Sequence, residues 1–255
     1  MLRAHNVTLS YGQEPVLEGA SLAVAAGQFV SLVGPSGSGK SSLLRAIMGL
    51  QEISAGLIDT SGLAANDIGI LFQDDALLPW RSAIDNVSLG LRLRGLSDRE
   101  AKADAQIWLE RLGLKGFETR YPRELSGGQR KRVALAQVLA LKPRLLLMDE
   151  PFASLDAIVR ARVTQDVVNL VESEGIGVLL VTHDLEEAIA LSDVVYLLSN
   201  GPRARIVQRY NVPLPRPRNL IRARSHPQFA PLYERLWSDL SDAVDGPRTF
   251  LEAAE

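Results

Sequence analysis

The sequence predicts an α/β protein with a mostly parallel sheet, an antiparallel β part at the N-terminus and an inserted helical lobe. Short apolar runs alternate with helical patterns over Phe29 to Leu50 and over Leu145 to Leu198, as in a sheet covered by helices on both faces. The chain before Gly27 contains two extended segments joined by a turn, and residues from about 89 to 140 have only helical periodicity.

Four short strands are predicted outside the alternating runs of the core. Leu2 to Ser10 mixes polar and apolar residues in rough alternation, as a half-buried strand does, and Tyr11-Gly12 ends it at a turn. A second extended segment lies around Val16 to Val24. Gly56 to Asp59 and Ile68 to Phe72 are predicted as strands on either side of a Gly/Ala/Asn turn.

The helical lobe is predicted between about Leu89 and Ala140, a stretch with no convincing strand. Ser97-Asp98-Arg99-Glu100 offers a helix start. The residues that form an apolar face at helical spacing after it are Ala105, Trp108, Leu109 and Leu112.

Strands and helices alternate again after the lobe. In order, they are expected at Leu145 to Met148, Leu155 to Glu172, Val178 to Thr182, Asp184 to Leu191 and Val194 to Leu198. The proline-rich stretch Val212 to Arg218 is an extended connector, and the rest of the chain resembles a helical appendage. The appendage is expected around Phe229, Leu232, Leu236 and Trp237. We therefore expect a main domain over residues 1–210, with the lobe of 89–140 inserted, and a C-terminal extension over 211–255.

The composition is that of a globular protein with a sizeable core, with 46% hydrophobic and 23% charged residues over 255 positions. A net charge of −2 gives no overall basic field of the kind that attracts nucleic acid. The sequence has no cysteine, which excludes disulfides, thiol catalysis and the usual structural zinc sites. It has neither an apolar run of the ~18 residues that a membrane span needs nor a signal-peptide stretch, so we expect a cytosolic protein that meets a membrane only through a partner.

The stretch Gly34-Pro35-Ser36-Gly37-Ser38-Gly39-Lys40-Ser41 follows the apolar run Phe29 to Val33 and fits G-x-x-x-x-G-K-[ST]. Its glycines let backbone N–H groups point at an anion, and the next helix adds its positive dipole end. Lys40 can reach the outer phosphates of a nucleotide, and the Ser41 hydroxyl can bind Mg²⁺. A chance Gly/Ser turn is the alternative, but the strand before and the helix after favour a P-loop NTPase core.

Two acids, Asp149 and Glu150, end the apolar run Leu145 to Met148. The carboxyl ends of strands in an open parallel sheet face the ligand crevice. Asp149 is therefore expected to hold Mg²⁺ through water, and Glu150 to act on the water that attacks the γ-phosphate, as general base or as its orienter. The alternative is a strand that simply leaves the core into a polar turn.

A second candidate anion site lies in Leu125-Ser126-Gly127-Gly128-Gln129, before the helical run Arg130 to Ala140. Ser126 is a good N-cap, and the two glycines expose the backbone N–H groups of a helix start. A simple capped helix is the alternative.

In combination, these motifs resemble those of the ATPase subunits of ABC transporters, over roughly residues 2–210. Gly34 to Ser41 matches the Walker A motif, Leu145 to Glu150 the Walker B motif with its glutamate, and Leu125 to Gln129 the LSGGQ signature. The joint occurrence of the three motifs is far more specific than any one of them.

Four shorter motifs follow the order of that family, and their roles rest largely on the resemblance. Tyr11 matches the aromatic that stacks on adenine, and Gln73 the Q-loop glutamine near Mg²⁺ and the attacking water. Ser154-Leu155-Asp156 matches the D-loop, and His183 the switch histidine. Tyr11 as a packing residue, Gln73 as a solvated loop residue, Asp156 as a helix start and His183 as a structural histidine are the alternatives.

The resemblance implies an ATP hydrolase that uses ATP and Mg²⁺. The implied catalytic residues are Glu150, His183 and Gln73. The implied ATP-binding residues are Tyr11, Gly34, Pro35, Ser36, Gly37, Ser38, Gly39, Lys40, Ser41 and Ser42. Those implied to contact ATP across a dimer are Ser126, Gly127, Gly128, Gln129 and Asp156, and those implied to hold Mg²⁺, partly through water, are Ser41, Gln73 and Asp149.

The resemblance also implies the partners. A second copy of the chain would bind head to tail, so that ATP on one Walker A loop is capped by the signature motif of the other copy. An integral membrane permease subunit, and through it an extracytoplasmic solute-binding protein, would complete a bacterial importer, and no nucleic acid is expected. The chain would then lie peripherally at the cytoplasmic face of the inner membrane.

The segment after Gln73 bears on the partner and the solute. The residues expected to form an apolar anchor for the permease's coupling helix are Leu77, Leu78, Pro79 and Trp80, unless Trp80 packs in the core. Asp-Asp-Ala-Leu-Leu-Pro-Trp, over 74–80, resembles the nitrate/sulfonate/taurine importer group. Importers of thiamine precursors are similar here, so the solute stays open.

Two other classes are disfavoured by the sequence. Soluble ABC proteins that act on DNA or ribosomes typically carry coiled-coil insertions, zinc cysteines or a second cassette, and this sequence has none of these. A P-loop kinase needs a pocket for a phosphate acceptor, whereas the signature motif supplies a second phosphate cap.

Overall fold

The computed structural model describes residues 1–12 and 14–245 of the chain. These residues cluster into two compact units. The helical unit comprises Met1, Ala25–Gln28 and Ser61–Leu180. The phosphate-loop unit comprises Leu2–Val24, Phe29–Thr60 and the described chain from Val181 onward.

The strands are β1 (Leu2–Tyr11), β2 (Glu14–Val24), β3 (Phe29–Val33), β4 (Ala55–Asp59), β5 (Ile68–Leu71), β6 (Leu145–Asp149), β7 (Gly177–Thr182), β8 (Val194–Leu198) and β9 (Ile206–Asn211). The helices are α1 (Lys40–Ile47), α2 (Ala83–Leu93), α3 (Asp98–Arg111), α4 (Gly127–Leu139), α5 (Ala157–Glu174), α6 (Leu185–Leu191), α7 (Leu220–Arg224) and α8 (Phe229–Asp245). Short 3₁₀ turns lie at Ala65–Asp67 and Pro122–Glu124.

The N-terminal part of the phosphate-loop unit is an antiparallel sheet with the order β2-β1-β4. The register of β1 against β2 runs from Leu2 opposite Val24 to Tyr11 opposite Glu14. The apolar side chains of β1 alternate with exposed ones and are buried, which matches the predicted half-buried strand. The predicted antiparallel part is confirmed.

The phosphate-loop unit also contains β3, β8 and β9, which neighbour one another in that order. All of β3 is buried, and it pairs in parallel with β8 from Val30 opposite Val194 to Val33 opposite Leu197. β9 runs antiparallel to β8. The sequence pattern did not predict β9, because β9 is an edge strand with the polar residues Gln208, Arg209 and Asn211 and only partial burial.

In the helical unit, β5 pairs in parallel with β6, from Ile68 opposite Leu145 to Leu71 opposite Met148. Helices α2, α3 and α4 pack on one another, and Ala105, Trp108 and Leu109 are buried as predicted. α3 begins at the predicted place, where Ser97 and Glu100 form a reciprocal capping box. α2 begins before the expected lobe, because Ser82 caps its first turn by accepting from the Asp85 N–H. The predicted α/β class with mixed strands and helical segments is confirmed.

The C-terminal extension packs on α6 and β8 within the phosphate-loop unit. α7 and α8 contribute buried apolar side chains to one cluster with α6, whose described members from the extension include Leu214, Ala223, Phe229 and Leu236. Trp237, expected in the same apolar group, is instead 56% exposed and stacks on Tyr233. The appendage is therefore integrated into this unit through one face of α8.

A single carboxylate, Asp193, ties the connector to the start of β3. Its oxygens accept hydrogen bonds from the Phe29 N–H at 2.9 Å, from Arg218 at 3.0 Å and from Arg216. The Arg218 side chain is buried and also donates to the carbonyls of Leu214 and Ser192. Burial alone would raise the pKa of Asp193, but the bonds from Arg216, the Phe29 N–H and Arg218 hold that pKa below its ordinary value of 3.8.

Replacing Asp193 with Asn should lower the free energy of unfolding by about 2 kcal/mol at neutral pH, because the buried Arg218 then lacks a counter-charge. A carboxylate with a lowered pKa stabilises the fold above the ordinary pKa and loses that effect as the pH falls through its lowered value. The difference between Asp193→Asn and the parent in urea unfolding should therefore shrink below about pH 4. The partly exposed carboxylate Glu18, which pairs with the exposed Arg205, offers the control Glu18→Gln, for which no measurable change is expected. A difference for Asp193→Asn that is independent of pH would contradict this role.

Candidate nucleotide site

The phosphate loop lies between β3 and α1, both in the phosphate-loop unit. The loop approaches β8 closely: a Cβ atom on Gly34 would lie 2.8 Å from Leu198 Cβ and 3.1 Å from its carbonyl oxygen. It also lies against β2, since a Cβ atom on Gly39 would be 3.1 Å from Val16 Cγ1. Gly37 and Gly39 both have positive φ, of 80° and 86°. Packing and backbone conformation thus require glycine at several positions of the motif.

The polar groups of the loop are arranged around its interior. Lys40 is buried, and its Nζ donates to the carbonyls of Gly34 at 2.8 Å and Pro35 at 2.7 Å. The Oγ of Ser38 is buried and has no hydrogen-bond partner among the described residues. An ammonium that spans the loop and an unsatisfied hydroxyl at its centre are the donors that a bound phosphate chain would use. The sequence expectation of an anion site here has this structural support.

Tyr11 lies beside the first turn of α1. Its hydroxyl shares a hydrogen bond with Ser42 Oγ at 2.9 Å and donates to Gln51 Oε1 at 3.2 Å. The side chain is 54% exposed, so it is not a core packing residue. Tyr11 and Ser42, predicted as ATP-binding residues, are in direct contact in this unit.

His183 is exposed in the short connection between β7 and α6. On one side of it, Thr182 Oγ1 donates to Glu187 Oε2 at 2.7 Å; on the other, Asp184 caps α6 by accepting from the Glu187 N–H at 3.0 Å. The connection that carries the imidazole is therefore tied to α6 on both sides of His183.

The acids and the Q-loop glutamine lie in the helical unit. Leu71 pairs with Met148 in a parallel register, so the residues that follow them leave β5 and β6 at the same edge. Gln73 follows β5, Asp149 is the last residue of β6, and Glu150 comes next. Glu150 has a φ of 43°, an uncommon conformation for a residue with a side chain, and strain of this kind is often found at functional sites.

The signature residues form the N-terminus of α4. Ser126 Oγ accepts from the Gln129 N–H at 3.3 Å, and Gln129 Oε1 accepts from the Ser126 N–H at 2.9 Å. The N–H groups of the first turn, including those of Gly127 and Gly128, have no acceptor within the helix itself. A Cβ atom on Gly128 would be 2.4 Å from Val159 Cγ1, so α5 packs directly on this turn and requires glycine there. The predicted N-cap is confirmed, and it is a reciprocal capping box.

Asp156 caps α5, because its Oδ1 accepts from the Val159 N–H at 3.0 Å. This is the helix-start role that the sequence left open beside the role across a dimer. A cleft of about 310 Å³ lies between the start of α4 and the start of α5. Its described lining is Gly113, Leu114, Ser126, Gly128, Gln129, Arg132, Ile158, Val159 and Arg162. Arg132 is paired with Asp166 at 2.7 Å, so Arg162 and the helix N-terminus are the groups that make this cleft suited to an anion.

Several contributors to the site carry no local signal in the sequence. Arg162 and Arg132 line the cleft from different helices, and the wholly buried Lys131 donates to the Gln73 carbonyl at 2.9 Å. A basic residue within an amphipathic helix is usually solvated, so only tertiary contacts identify these three. The sequence feature that could have pointed to Lys131 and Arg132 is the run of basic residues next to the signature motif.

Trp80 is 70% exposed, so the alternative in which it packs in the core is wrong. Asn86 binds the backbone on both sides of Trp80. Its side chain accepts from the Leu78 N–H at 2.8 Å and donates to the carbonyls of Leu78, Arg81 and Ser82. The large apolar side chain is thus displayed on a loop that a buried amide fixes.

Two absences hold for residues 1–12 and 14–245. No group of three or more His, Asp and Glu side chains there could hold a metal ion by itself. No helix in that part of the chain is both long and apolar enough to cross a membrane.

Comparison with known proteins identifies the family. Residues 17–153 match the family model described as ABC transporter. The chain is 41% identical over 216 residues to the taurine import ATP-binding protein TauB of Yersinia pestis bv. Antiqua (strain Antiqua), covering 83% of this chain and 84% of the relative. It is 43% identical over 239 residues to the aliphatic sulfonates import ATP-binding protein SsuB of Ralstonia nicotianae (strain ATCC BAA-1114 / GMI1000), covering 92% of this chain and 80% of the relative.

A solved structure agrees in fold. The dimeric, post-hydrolysis state of an ATP-binding cassette bound to ADP and Pi superposes with a TM-score of 0.73 at 32% identity, covering 83% of this chain and 99% of the other. The sequence motifs, the fold and the relatives agree, and the chain belongs to the ATP-binding subunits of the ABC transporter family.

Proposed function

We propose that the chain binds and hydrolyses ATP to power a bacterial importer of the nitrate/sulfonate/taurine type. The observation that carries this proposal is the similarity, over most of the chain, to two ATP-binding subunits named for the import of taurine and aliphatic sulfonates. Taurine is itself a sulfonate, so both relatives act in the import of small sulfonates.

ATP would bind first to the phosphate-loop unit. The N–H groups of Ser36 to Ser41, the ammonium of Lys40 and the α1 dipole supply the positive field for its phosphates. Tyr11, exposed beside α1, would stack on the adenine. Ser42 is bonded to Tyr11 and so would orient the ring.

Hydrolysis would use Glu150, with Gln73 and His183 in support. Glu150 would orient the water and accept its proton as it attacks the γ-phosphate. Mg²⁺ prefers oxygen ligands and commonly binds through one or two carboxylates plus substrate phosphates, which fits the hydroxyl of Ser41, the carboxylate of Asp149 and the amide oxygen of Gln73. The ion would neutralise charge on the phosphates.

A second copy of the chain would complete the ATP site. The first turn of α4, from Ser126 to Gln129, and the cleft beside it would form an anion-binding surface in the helical unit, separate in sequence from the phosphate loop. Asp156 would contribute from the D-loop. The dimeric state of the related cassette supports a dimer of this kind.

The permease subunit would dock on the loop that displays Trp80, and through it the chain would lie peripherally at the cytoplasmic face of the inner membrane. An exposed tryptophan on a fixed loop is typical of an interface anchor. An extracytoplasmic solute-binding protein would deliver the solute to the permease and would not touch this chain. We further propose that 1–210 act as the ATPase domain, with 89–140 as the inserted lobe and 211–255 as an extension.

Replacing Glu150 with Gln should lower the kcat of ATP hydrolysis by about 100-fold or more, because an amide cannot accept the proton. ATP affinity should be retained, since the phosphate loop is unchanged. Glu234→Gln, in the exposed face of α8, is the matched control and should hydrolyse ATP at the parent rate. Parent-like hydrolysis by Glu150→Gln would rule out its catalytic role.

Replacing Trp80 with Ala should reduce recovery of the permease subunit in a pull-down from detergent-solubilised membranes, because the exposed anchor is lost. ATP-dependent dimerisation should persist, as Trp80 lies outside the phosphate loop and α4. Trp237→Ala removes another exposed tryptophan and should leave the pull-down unchanged. Equal recovery with both variants would remove Trp80 as the anchor.

A further inference from the structure

Lys131 is a charged side chain with no exposed surface in the helical unit. A buried ammonium is costly unless every N–H finds an acceptor. Its three donors meet three acceptors: the carbonyls of Phe72 at 3.3 Å and Gln73 at 2.9 Å, and Asp75 Oδ1 at 3.0 Å. A lysine on α4 is thus bound entirely to the residues that follow β5.

The neighbouring residue strengthens the same connection. Arg130 Nε lies 3.3 Å from Asp75 Oδ2, and its Nη1 donates to the Leu125 carbonyl at 2.8 Å. Asp75 therefore receives two cations from consecutive positions of α4. The signature motif begins at Leu125, so this carboxylate is linked to it through Arg130 as well as through Lys131.

The segment 72–82 is held at its other end too. Asn86, buried on α2, binds Leu78, Arg81 and Ser82 through four hydrogen bonds. Trp80 is exposed between these two fixed ends. Because Lys131 binds backbone carbonyls of the segment, side-chain rotation within the segment cannot absorb a shift of α4, and the backbone at Phe72 and Gln73 must move with the helix.

We propose that Lys131 is a positioning residue that couples the signature helix to segment 72–82, so that ATP capping at Ser126 to Gln129 and the placement of Gln73 and Trp80 bias each other. This rests on the proposed function, in which those three sites meet nucleotide or permease. Filling the core is the competing explanation, and it requires neither a charge nor three bonds to one short segment.

The test is hydrogen–deuterium exchange in the Glu150→Gln background, with and without ATP and Mg²⁺, followed in peptides that cover 72–80 and 125–131. Without a further change, ATP should protect both peptides. With Lys131→Met, the 125–131 peptide should keep its protection and the 72–80 peptide should lose most of it. Lys131→Arg, which keeps the charge and donors, should retain protection of both.

Two controls separate positioning from stability. Lys102→Met removes a surface lysine that pairs with Asp98 and Asp85, and it should leave both peptides as in the background. Asp75→Asn keeps the carbonyl contacts of Lys131 and removes only the ion pairs, so it should cause a partial loss of protection in the 72–80 peptide. This variant keeps the inference testable if Lys131→Met fails to fold. In the Glu150 parent, Lys131→Met should lower kcat about tenfold with the KM for ATP within about twofold, because only Gln73 is displaced.

The outcomes are distinct. If ATP protects neither peptide in the Glu150→Gln background, the proposed function fails and this inference fails with it. A second outcome is that ATP protects both peptides in the Glu150→Gln background and protects them to the same extent after Lys131→Met or Asp75→Asn is added. That result overturns the coupling role while the proposed function stands. A uniform loss of protection in both peptides would assign Lys131 to core stability and also overturn the inference.

Discussion

The parallel pairing of β3 with β8 is the interaction on which the phosphate loop depends. It runs to Val33 opposite Leu197, and at the next step Gly34 approaches Leu198 too closely for any side chain. The backbone must then turn, and Lys40 closes the loop by binding the carbonyls of Gly34 and Pro35. A buried strand pair thus converts a Gly-rich sequence into a cradle of N–H groups of fixed shape.

The same strand pair is secured at its other end. Asp193 precedes β8 and accepts from the N–H of Phe29, the first residue of β3, while Arg218 of the C-terminal connector neutralises it. The connector and α8 therefore stabilise the strands that carry the phosphate loop. The extension thus supports the two strands beside which the phosphate loop is built.

The proposed binding of ATP would account for the presence of two donor sets in one chain. A triphosphate needs several N–H groups and cations, and the loop at Gly34 to Ser41 supplies only one side of such a cage. The first turn of α4, with Arg162 beside it, supplies a second, in the helical unit. In the proposed dimer, a nucleotide shared between two copies would satisfy both sets, and ATP itself would link the two copies.

The sequence is sufficient to predict the structure where interactions between residues close in the chain decide it. The buried, mostly apolar β3, the glycines of the phosphate loop and the Ser126 and Ser97 caps act within a few residues, and the sequence predicts each of them. The sequence is insufficient to predict contacts whose hydrogen-bonding or packing partners come from elements distant in the chain. Nothing local separates the buried Lys131 from a solvated lysine, and β9 was missed because its pattern is that of an edge strand. The loop that carries the exposed Trp80 is bound by Asn86 at Leu78 and Arg81, and these contacts are visible only in the folded chain.

Cross-linking gives the most direct test of the shared nucleotide, because the chain has no cysteine and introduced thiols are unambiguous. Ser36→Cys, in the phosphate loop, and Ser126→Cys, at the signature cap, would be made in separate copies, mixed, and oxidised with and without ATP and Mg²⁺. If two copies share the nucleotide, a disulfide-linked pair forms only in the mixture and only with ATP. Absence of the linked pair at saturating ATP, or its formation to the same extent without nucleotide, would contradict the shared nucleotide.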